Sequence, residues 1–148
     1  MSLPELPDEA IVLRAEAVDW RAAVHVAGEA LVASGATTSD YADAMVRMID
    51  EHGPYVVIAP GLVLAHARPG DSVLRDGLAV VTLAEPVPFG HPHNDPVRVV
   101  LALSVVSVGG HLESIADIAN AFNDVSAIPA LADAADRDEV RRLLRGAP

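Results

Sequence analysis

The chain has 148 residues, a formal net charge of −11 at pH 7 and no cysteine. The length fits one domain with a core of its own, predicted to span residues 1–148, and the 51% apolar content is far from that of a disordered chain. The negative net charge disfavours nucleic-acid binding, which needs a cationic surface. Because the chain has no cysteine, it can form no disulfide, offer no thiolate metal ligand and use no cysteine nucleophile.

Neither the N-terminus nor the apolar stretches indicate export or membrane insertion. The first ten residues lack the basic and apolar regions of a signal peptide. The longest apolar run, Val97–Val108, contains Arg98 and is too short and too β-branched to cross a bilayer as a helix. We therefore expect a cytoplasmic protein, whose negative charge either favours basic protein partners or simply maintains solubility.

The N-terminal third is predicted to hold a short extended piece and two helices. Prolines disfavour a helix within residues 1–18. The first helix is predicted over Trp20–Ser34, capped by Asp19 and ended by Gly35. The second is predicted from Thr38 or Ser39, either of which can cap it, to about His52, and it ends at Gly53.

The middle of the chain reads as β-structure. β-branched and apolar segments predict strands at Tyr55–Ile58, at Leu62–His66, at Leu78–Leu83 and at Val97–Val106. The last of these is nearly all apolar, so it is expected at the centre of the sheet. Residues 85–96 hold four prolines and are predicted as a loop, with Val87–Phe89 as a candidate edge strand.

Helices are predicted again after the last strand. The first opens at His111, directly after Gly109 and Gly110, and the other two cover Val125–Ala134 and Asp136–Leu144. The alternation predicts an α/β fold, a single domain whose central sheet is flanked by helices.

The six histidines are the main candidates for reactivity. His25 and His52 fit surface or helix-capping positions. His66 lies where a strand meets a loop, a position at which folds display functional side chains, and Arg68 can supply positive charge to an anion there. Spacing alone leaves a structural role for His66 open.

His111 follows two glycines at a predicted helix start. Unpaired N–H groups and a positive partial charge make such a start a natural phosphate site, although the residue can equally be a histidine that merely opens a helix.

His91 and His93, with Asp95 nearby, resemble a metal-ligand cluster, which would suit a metal-dependent hydrolase. Pro92 breaks the strand geometry between them, and a solvated loop is the competing interpretation. No metal is expected, because nothing in the sequence identifies the remaining ligands. The chain also has no phosphate-binding or dinucleotide-binding glycine motif, so no nucleotide cofactor is expected.

Four segments together resemble a known family. They are Tyr41–Met45, Gly53–Gly61, Leu62–Pro69 with the sequence Leu-Val-Leu-Ala-His-Ala-Arg-Pro, and His111–Ile115. In this order they resemble the enzyme IIA component of the bacterial phosphoenolpyruvate-dependent sugar phosphotransferase system, of the mannitol/fructose type and closest to its ascorbate-like branch.

The resemblance implies a mixed β-sheet flanked by helices and a phosphocarrier function. It implies that the phosphohistidine protein HPr phosphorylates His66, and that the group then passes to a cysteine of enzyme IIB, which serves the membrane permease enzyme IIC. His111 matches the second active-site histidine, which stabilises the transferring group. Arg68 is the candidate for the stabilising positive charge.

Two positions depart from the family pattern. Ala65 stands where the family usually has proline before the phosphorylated histidine, and Met48 stands where mannitol-type members have arginine, with Arg47 beside it. They motivate the alternative of a regulatory or binding module that keeps the fold but has weak or lost phosphotransfer. The apolar content is compatible with a homodimer, and the sequence does not identify the sugar.

Overall fold

The computed structural model of the protein describes residues 6–122, 124 and 126–145. Its strands are β1 (Ile11–Ala15), β2 (Val57–Ala59), β3 (Leu62–His66), β4 (Gly77–Val87) and β5 (Val97–Ser104). Its helices are α1 (Trp20–Ala33), α2 (Asp40–His52), α3 (Val108–Ala121), α4 (Ala127–Ala132) and α5 (Arg137–Arg145). Within these described ranges no helix combines the length and the apolar character needed to cross a membrane.

The five strands form one mixed sheet in the order β1-β4-β5-β3-β2. β3 runs parallel to β5 and β1 parallel to β4, whereas β4 is antiparallel to β5 and β2 is antiparallel to β3. The predicted α/β fold with a mixed sheet is confirmed. β5 lies at the centre, as its apolar run predicted, and seven of its eight residues are buried.

Helices cover both faces of the sheet and create two separate cores. α1 and α2 pack on one face, against alternate strand residues such as Val63 and Ala65. α3, α4 and α5 pack on the other face, against Leu62 and Leu64. Because successive side chains of a strand point to opposite faces, β3 contributes to both cores and is anchored from both sides.

The first two helices end where the sequence predicts, for identifiable local reasons. The side chain of Asp19 accepts a hydrogen bond from the backbone N–H of Ala22, which caps α1. Gly35 and Gly53 follow the two helices with φ angles of +84° and +85°, a conformation that favours glycine.

The prediction of a strand at Tyr55–Ile58 was wrong for its first two residues. A 3₁₀ turn occupies Pro54–Val56, and β2 begins only at Val57. Proline disfavours a continuous strand here because it fixes φ and cannot donate a ladder hydrogen bond.

The predicted limits of the two long strands were also wrong. β4 continues through residues 84–87, because Val87 pairs with Val97 beyond an irregularity in the register. Val87–Phe89 is therefore no separate edge strand, and the proline-rich loop begins after Val87. At the other end of the hairpin β5 stops at Ser104, two residues earlier than predicted.

Two C-terminal helices also differ from their predicted limits. α3 begins at Val108, so Gly109 and Gly110 lie inside its first turn and His111 does not open the helix. The helix predicted over Val125–Ala134 is shorter, Ala127–Ala132, and Val125 itself lies outside the described residues.

Close contact between α1 and α2 depends on Gly28. A Cβ atom added there would lie 2.5 Å from the Cβ atom of Ala42. We expect Gly28→Ala to lower the free energy of unfolding by about 1–3 kcal/mol, because the helices must separate. Gly70→Ala is the matched control, since its Cβ atom would meet nothing within 4 Å. Urea unfolding followed by circular dichroism tests this, and an unchanged midpoint for Gly28→Ala would contradict it.

Candidate functional site

The candidate site lies at the edge of the sheet where β3 and β5 both end. His66 is the last residue of β3 and pairs with Leu103, one residue before the end of β5. Because the two strands are parallel, their carboxyl ends lie side by side. The chain then leaves β5 and enters α3, whose first turns contain His111. The fold thus brings the backbone positions of the two predicted histidines to one edge.

The His66 ring has a defined tautomer. Its Nδ1 atom lies 3.2 Å from the carbonyl oxygen of Leu64. A carbonyl oxygen can only accept, so Nδ1 carries the hydrogen and donates it. In the neutral ring the lone pair is then on Nε2, so Nε2 is the ring nitrogen with nucleophilic character. The side chain is half-buried, so the ring is held by the protein and still accessible to a reactant.

Tyr55 packs edge-on against His66, with ring centroids 6.4 Å apart and planes at 87°. On its other side Tyr55 meets the ring of His52 at 6.2 Å and 84°. The sequence interpretation placed Tyr55 in a strand and gave it no role. Only the fold brings the start of β2 beside the end of β3, because these strands are antiparallel.

The buried hydroxyl of Tyr41 joins the two strand ends. It donates to the carbonyl oxygen of Leu103 at 2.6 Å and accepts from the backbone N–H of Ala67 at 3.0 Å. Leu103 pairs with His66 across the sheet, and Ala67 is the residue directly after His66. The Tyr41 hydroxyl therefore holds the backbone on both sides of His66 in place. Burial raises the pKa of Tyr41 to about 12, so the hydroxyl keeps its hydrogen at neutral pH.

Two arginines, Arg68 and Arg47, are the candidates in the sequence for a source of positive charge. Arg68 is exposed two residues after His66 and, within the described part of the chain, makes no hydrogen bond or ion pair. On α2, Arg47 is exposed whereas Met48 packs against the core, so the two lie on different sides of the helix.

The loop with His91 and His93 lies at the opposite edge of the sheet, between β4 and β5. Nδ1 of His91 accepts hydrogen bonds from the N–H groups of His93 and Asn94. The Asp95 carboxylate accepts from three further backbone N–H groups, those of Phe89, Gly90 and His91. These atoms organise the loop itself. No group of three metal-binding side chains was found among the residues that the structure describes.

A surface cavity of about 630 Å³ lies between β1 and α5, on the far side of β4 and β5 from His66. It is lined by both acidic and basic side chains. Arg141 contacts Asp8 at 2.5 Å and Asp138 at 2.9 Å, and the first contact holds the pKa of Asp8 below its usual range. The arrangement joins the N-terminal segment to α5.

Comparisons with known proteins agree on one family. A family model described as "Phosphoenolpyruvate-dependent sugar phosphotransferase system, EIIA 2" matches residues 6–147. The chain is 39% identical over 118 residues to the ascorbate-specific PTS system EIIA component of Shigella boydii, covering 79% of this chain and 77% of that protein.

Solved structures agree with this finding. The crystal structure of IIA mannitol from Escherichia coli superposes with a TM-score of 0.84 at 30% identity, covering 95% of this chain and 99% of that one. An Escherichia coli complex of enzyme IIAMtl with phosphorylated enzyme IIBMtl gives 0.85 at 29% identity, covering 97% and 99%.

The hydroxyl of Tyr41 should contribute measurably to stability. We expect Tyr41→Phe to lower the free energy of unfolding by about 1–3 kcal/mol, since it leaves the Leu103 carbonyl and the Ala67 N–H without their buried partner. Tyr55→Phe is the control, because Tyr55 is 48% exposed. Denaturant unfolding measures both, and equal stability of the two variants would contradict the role of the Tyr41 hydroxyl.

Alkaline pH should weaken the fold through the same residue. Burial raises the Tyr41 pKa from 10.0 to about 12, so its stabilising contribution is complete below pH 10 and is lost as pH rises through 12. This corresponds to roughly 3 kcal/mol. The chain contains ten arginines and no lysine, so no lysine titrates in this window. The stability of Tyr41→Phe, measured by denaturant at each pH, should fall less steeply than that of the wild type.

Proposed function

Because the chain belongs to the EIIA 2 family of the phosphoenolpyruvate-dependent sugar phosphotransferase system, we propose that Nε2 of His66 is the atom that carries its phosphoryl group. Members of this family are phosphocarriers, so the reaction class is phosphoryl transfer between proteins. The observation that supports His66 is the hydrogen bond from its Nδ1 to the Leu64 carbonyl, because it puts the hydrogen on Nδ1 and the nucleophilic lone pair of the neutral ring on Nε2.

In the proposed transfer, the His66 imidazole is the only group of this chain that forms or breaks a covalent bond. Nε2 attacks the phosphorus of a phosphohistidine on the donor, the donor's phosphorus–nitrogen bond breaks, and a bond to Nε2 forms. The ring then carries positive charge, which the Leu64 carbonyl stabilises by accepting from Nδ1–H. In the second step a cysteine thiolate of the acceptor attacks phosphorus, and the electron pair of the breaking bond returns to Nε2.

Groups around His66 can stabilise the three equatorial oxygens of the moving phosphoryl group. The first turn of α3 presents backbone N–H groups without partners inside the helix, together with the positive end of its dipole. We assign His111, in the same part of α3, as the second active-site histidine. Arg68 supplies the positive charge. Transfer of this kind depends mainly on positioning and electrostatics.

The partners are HPr as donor and enzyme IIB as acceptor, in the cytoplasm, with the membrane permease enzyme IIC served indirectly. Tyr55, Leu74 and Val106 are apolar or aromatic side chains that are 48–60% exposed, in segments that adjoin the edge where β3 and β5 end. Exposed apolar side chains beside a reactive group support docking of a protein. The ascorbate-specific relatives support ascorbate as the sugar of the pathway.

Phosphorylation should depend on His66. After incubation with phosphoenolpyruvate, enzyme I and HPr, we expect the wild type to gain one phosphoryl mass that is lost in acid, as a phosphoramidate should be. His66→Ala should gain none, whereas His111→Ala should retain some labelling but pass it on to enzyme IIB more slowly. Intact-protein mass spectrometry measures all three.

A surface histidine serves as the matched control for this experiment. His25 lies on α1, where its Nε2 atom is 3.4 Å from a carboxylate oxygen of Asp43. His25→Gln should label like the wild type. Labelling of His66→Ala would overturn the assignment, and a wild type that labels but never transfers to enzyme IIB would favour the regulatory alternative.

Arg68 is expected to act on the transferring group and Arg47 is not. Arg68→Gln should slow phosphorylation about 10- to 100-fold, as loss of one charge-assisted contact predicts, with little change in stability. Arg47→Gln is a matched loss of one exposed arginine and should have no such effect. Rapid-quench labelling compares the two, and the reverse ranking would move the cationic role to α2.

A further inference from the structure

We propose that His91 is a pH-sensitive switch in the loop between β4 and β5. While its imidazole is neutral, it holds this loop against the turn between β2 and β3, and protonation of the ring releases the loop. The inference is independent of the chemistry at His66. It follows from the hydrogen bonds of the His91 ring and of Asn94, which connect parts of the chain 37 positions apart.

The His91 imidazole takes the place of a turn-forming asparagine or aspartate side chain. Its Nδ1 atom lies 3.1 Å from the backbone nitrogen of His93 and 3.0 Å from that of Asn94. Both partners are N–H donors, so Nδ1 presents a lone pair and the hydrogen of the neutral ring is on Nε2. An asparagine can accept in the same way without titrating, whereas an imidazole can gain a proton between about pH 8 and pH 5 and lose its acceptor.

Asn94 connects this turn to the sheet. Its backbone carbonyl accepts from the N–H of Gly61 at 2.9 Å, and its Nδ2 atom donates to the carbonyl of Val57 at 3.3 Å. Gly61 lies in the turn between β2 and β3, where its φ angle is +81°. Asn94 therefore holds the β2–β3 turn, and the N–H of Asn94 is itself held by His91.

Protonation of His91 is incompatible with this arrangement. An Nδ1–H group would face two backbone N–H groups, and none of the three could accept from another. Either the ring turns away or the loop opens at His93 and Asn94, and both N–H groups lose their acceptor in either case. Asn94 is then less restrained against Gly61. The His91 side chain is half-buried, so protons from solvent reach it.

The charged groups nearest to His91 do not oppose its protonation. The Asp95 carboxylate accepts from the His91 backbone N–H at 3.2 Å, and its negative charge favours an imidazolium beside it. Glu85, near the end of β4, is an exposed carboxylate with the same sign of charge. The His93 ring lies 6.2 Å from that of His91, so it is the second group in the loop that can titrate in this pH range. Residues 57–61 contain no titratable side chain.

Charged side chains on the other neighbouring elements have partners of their own. On β5 and α1 these partners are Asp133 for Arg98 at 2.9 Å, Asp50 for Arg21 at 2.6 Å, and the Ala22 N–H for Asp19 at 2.9 Å. The release of the loop at acid pH is therefore assigned to the His91 ring, with His93 as the residue to be excluded by experiment.

Hydrogen exchange of single amides, followed by NMR at pH 7.5 and pH 5.0, tests the switch. The measured quantity is the protection factor, which corrects for the pH dependence of exchange in an unfolded chain. We expect the protection factors of the Asn94 and Gly61 N–H groups to fall about tenfold at pH 5.0, as loss of these hydrogen bonds predicts. The N–H of Ala36, which donates to the Leu31 carbonyl at 2.9 Å, is the internal reference and should not change.

Three substitutions identify the responsible side chain. His91→Asn keeps an acceptor that does not titrate, so the protection of Gly61 should be the same at both pH values. His91→Phe removes the acceptor and should give low protection at both pH values. His93→Gln removes the neighbouring imidazole and should keep the wild-type response to pH. Low but pH-independent protection in His91→Asn would also support the switch, because the response would have been lost with the ring.

Nitrogen-15 NMR of the imidazole gives a second readout in the unmodified chain. His91 should carry its hydrogen on Nε2 at pH 7.5, and a predominance of Nδ1–H would overturn the proposal. Equal Gly61 protection at both pH values in the wild type, or a wild-type decrease in His91→Asn, would do the same. Loss of the response in His93→Gln would assign it to His93. None of these measurements needs a phosphoryl donor, so a failure of phosphorylation at His66 would leave them unaffected.

Discussion

The parallel pairing of β3 with β5 is the constraint on which the site depends. It places the ends of two strands, at His66 and Ser104, side by side at one edge of the sheet. The chain that follows β5 enters α3 there and presents the helix N-terminus beside the strand end. The Tyr41 hydroxyl, reaching from α2, bonds both strand ends and holds them together. A shift in the register of β3 by one residue would turn His66 to the other face of the sheet. It would also move each β3 side chain from the core on one face to the core on the other.

The chemistry of the site requires little beyond this geometry. Phosphoryl transfer between proteins needs a nucleophile with an available lone pair, donors for the equatorial oxygens, and access for two partners in turn. In the proposed site, the Leu64 carbonyl accepts from Nδ1 of His66 and so puts the lone pair on Nε2, while the N-terminus of α3 and Arg68 are the proposed donors. A half-buried ring at an exposed edge provides the third. A closed cleft would prevent the exchange of one partner for another.

Family membership and the order of elements were accessible from the sequence because they depend on local signals. The Asp19 cap, the glycines after α1 and α2 and the apolar run of β5 each specify structure within a few residues, and each was confirmed. The errors have different origins. β4 extends to Val87 because the distant Val97 pairs with it, whereas the strand predicted from Tyr55 is shortened by the 3₁₀ turn that begins at the adjacent Pro54. α3 begins at Val108, ahead of the glycines that suggested a later start.

From the sequence by itself, apolar periodicity and turn residues determined an α/β fold. The resemblance of short segments to a known family indicated the mixed sheet and the phosphotransferase family, and it selected His66 and His111, with Arg68, as candidates. Only the tertiary structure decided which residues meet. Tyr55 and His66 are eleven positions apart, and they touch because β2 and β3 are antiparallel. Tyr41 reaches Leu103, 62 positions away, because α2 packs over the ends of β3 and β5. Strand pairing and helix packing create such contacts, and no local pattern specifies them.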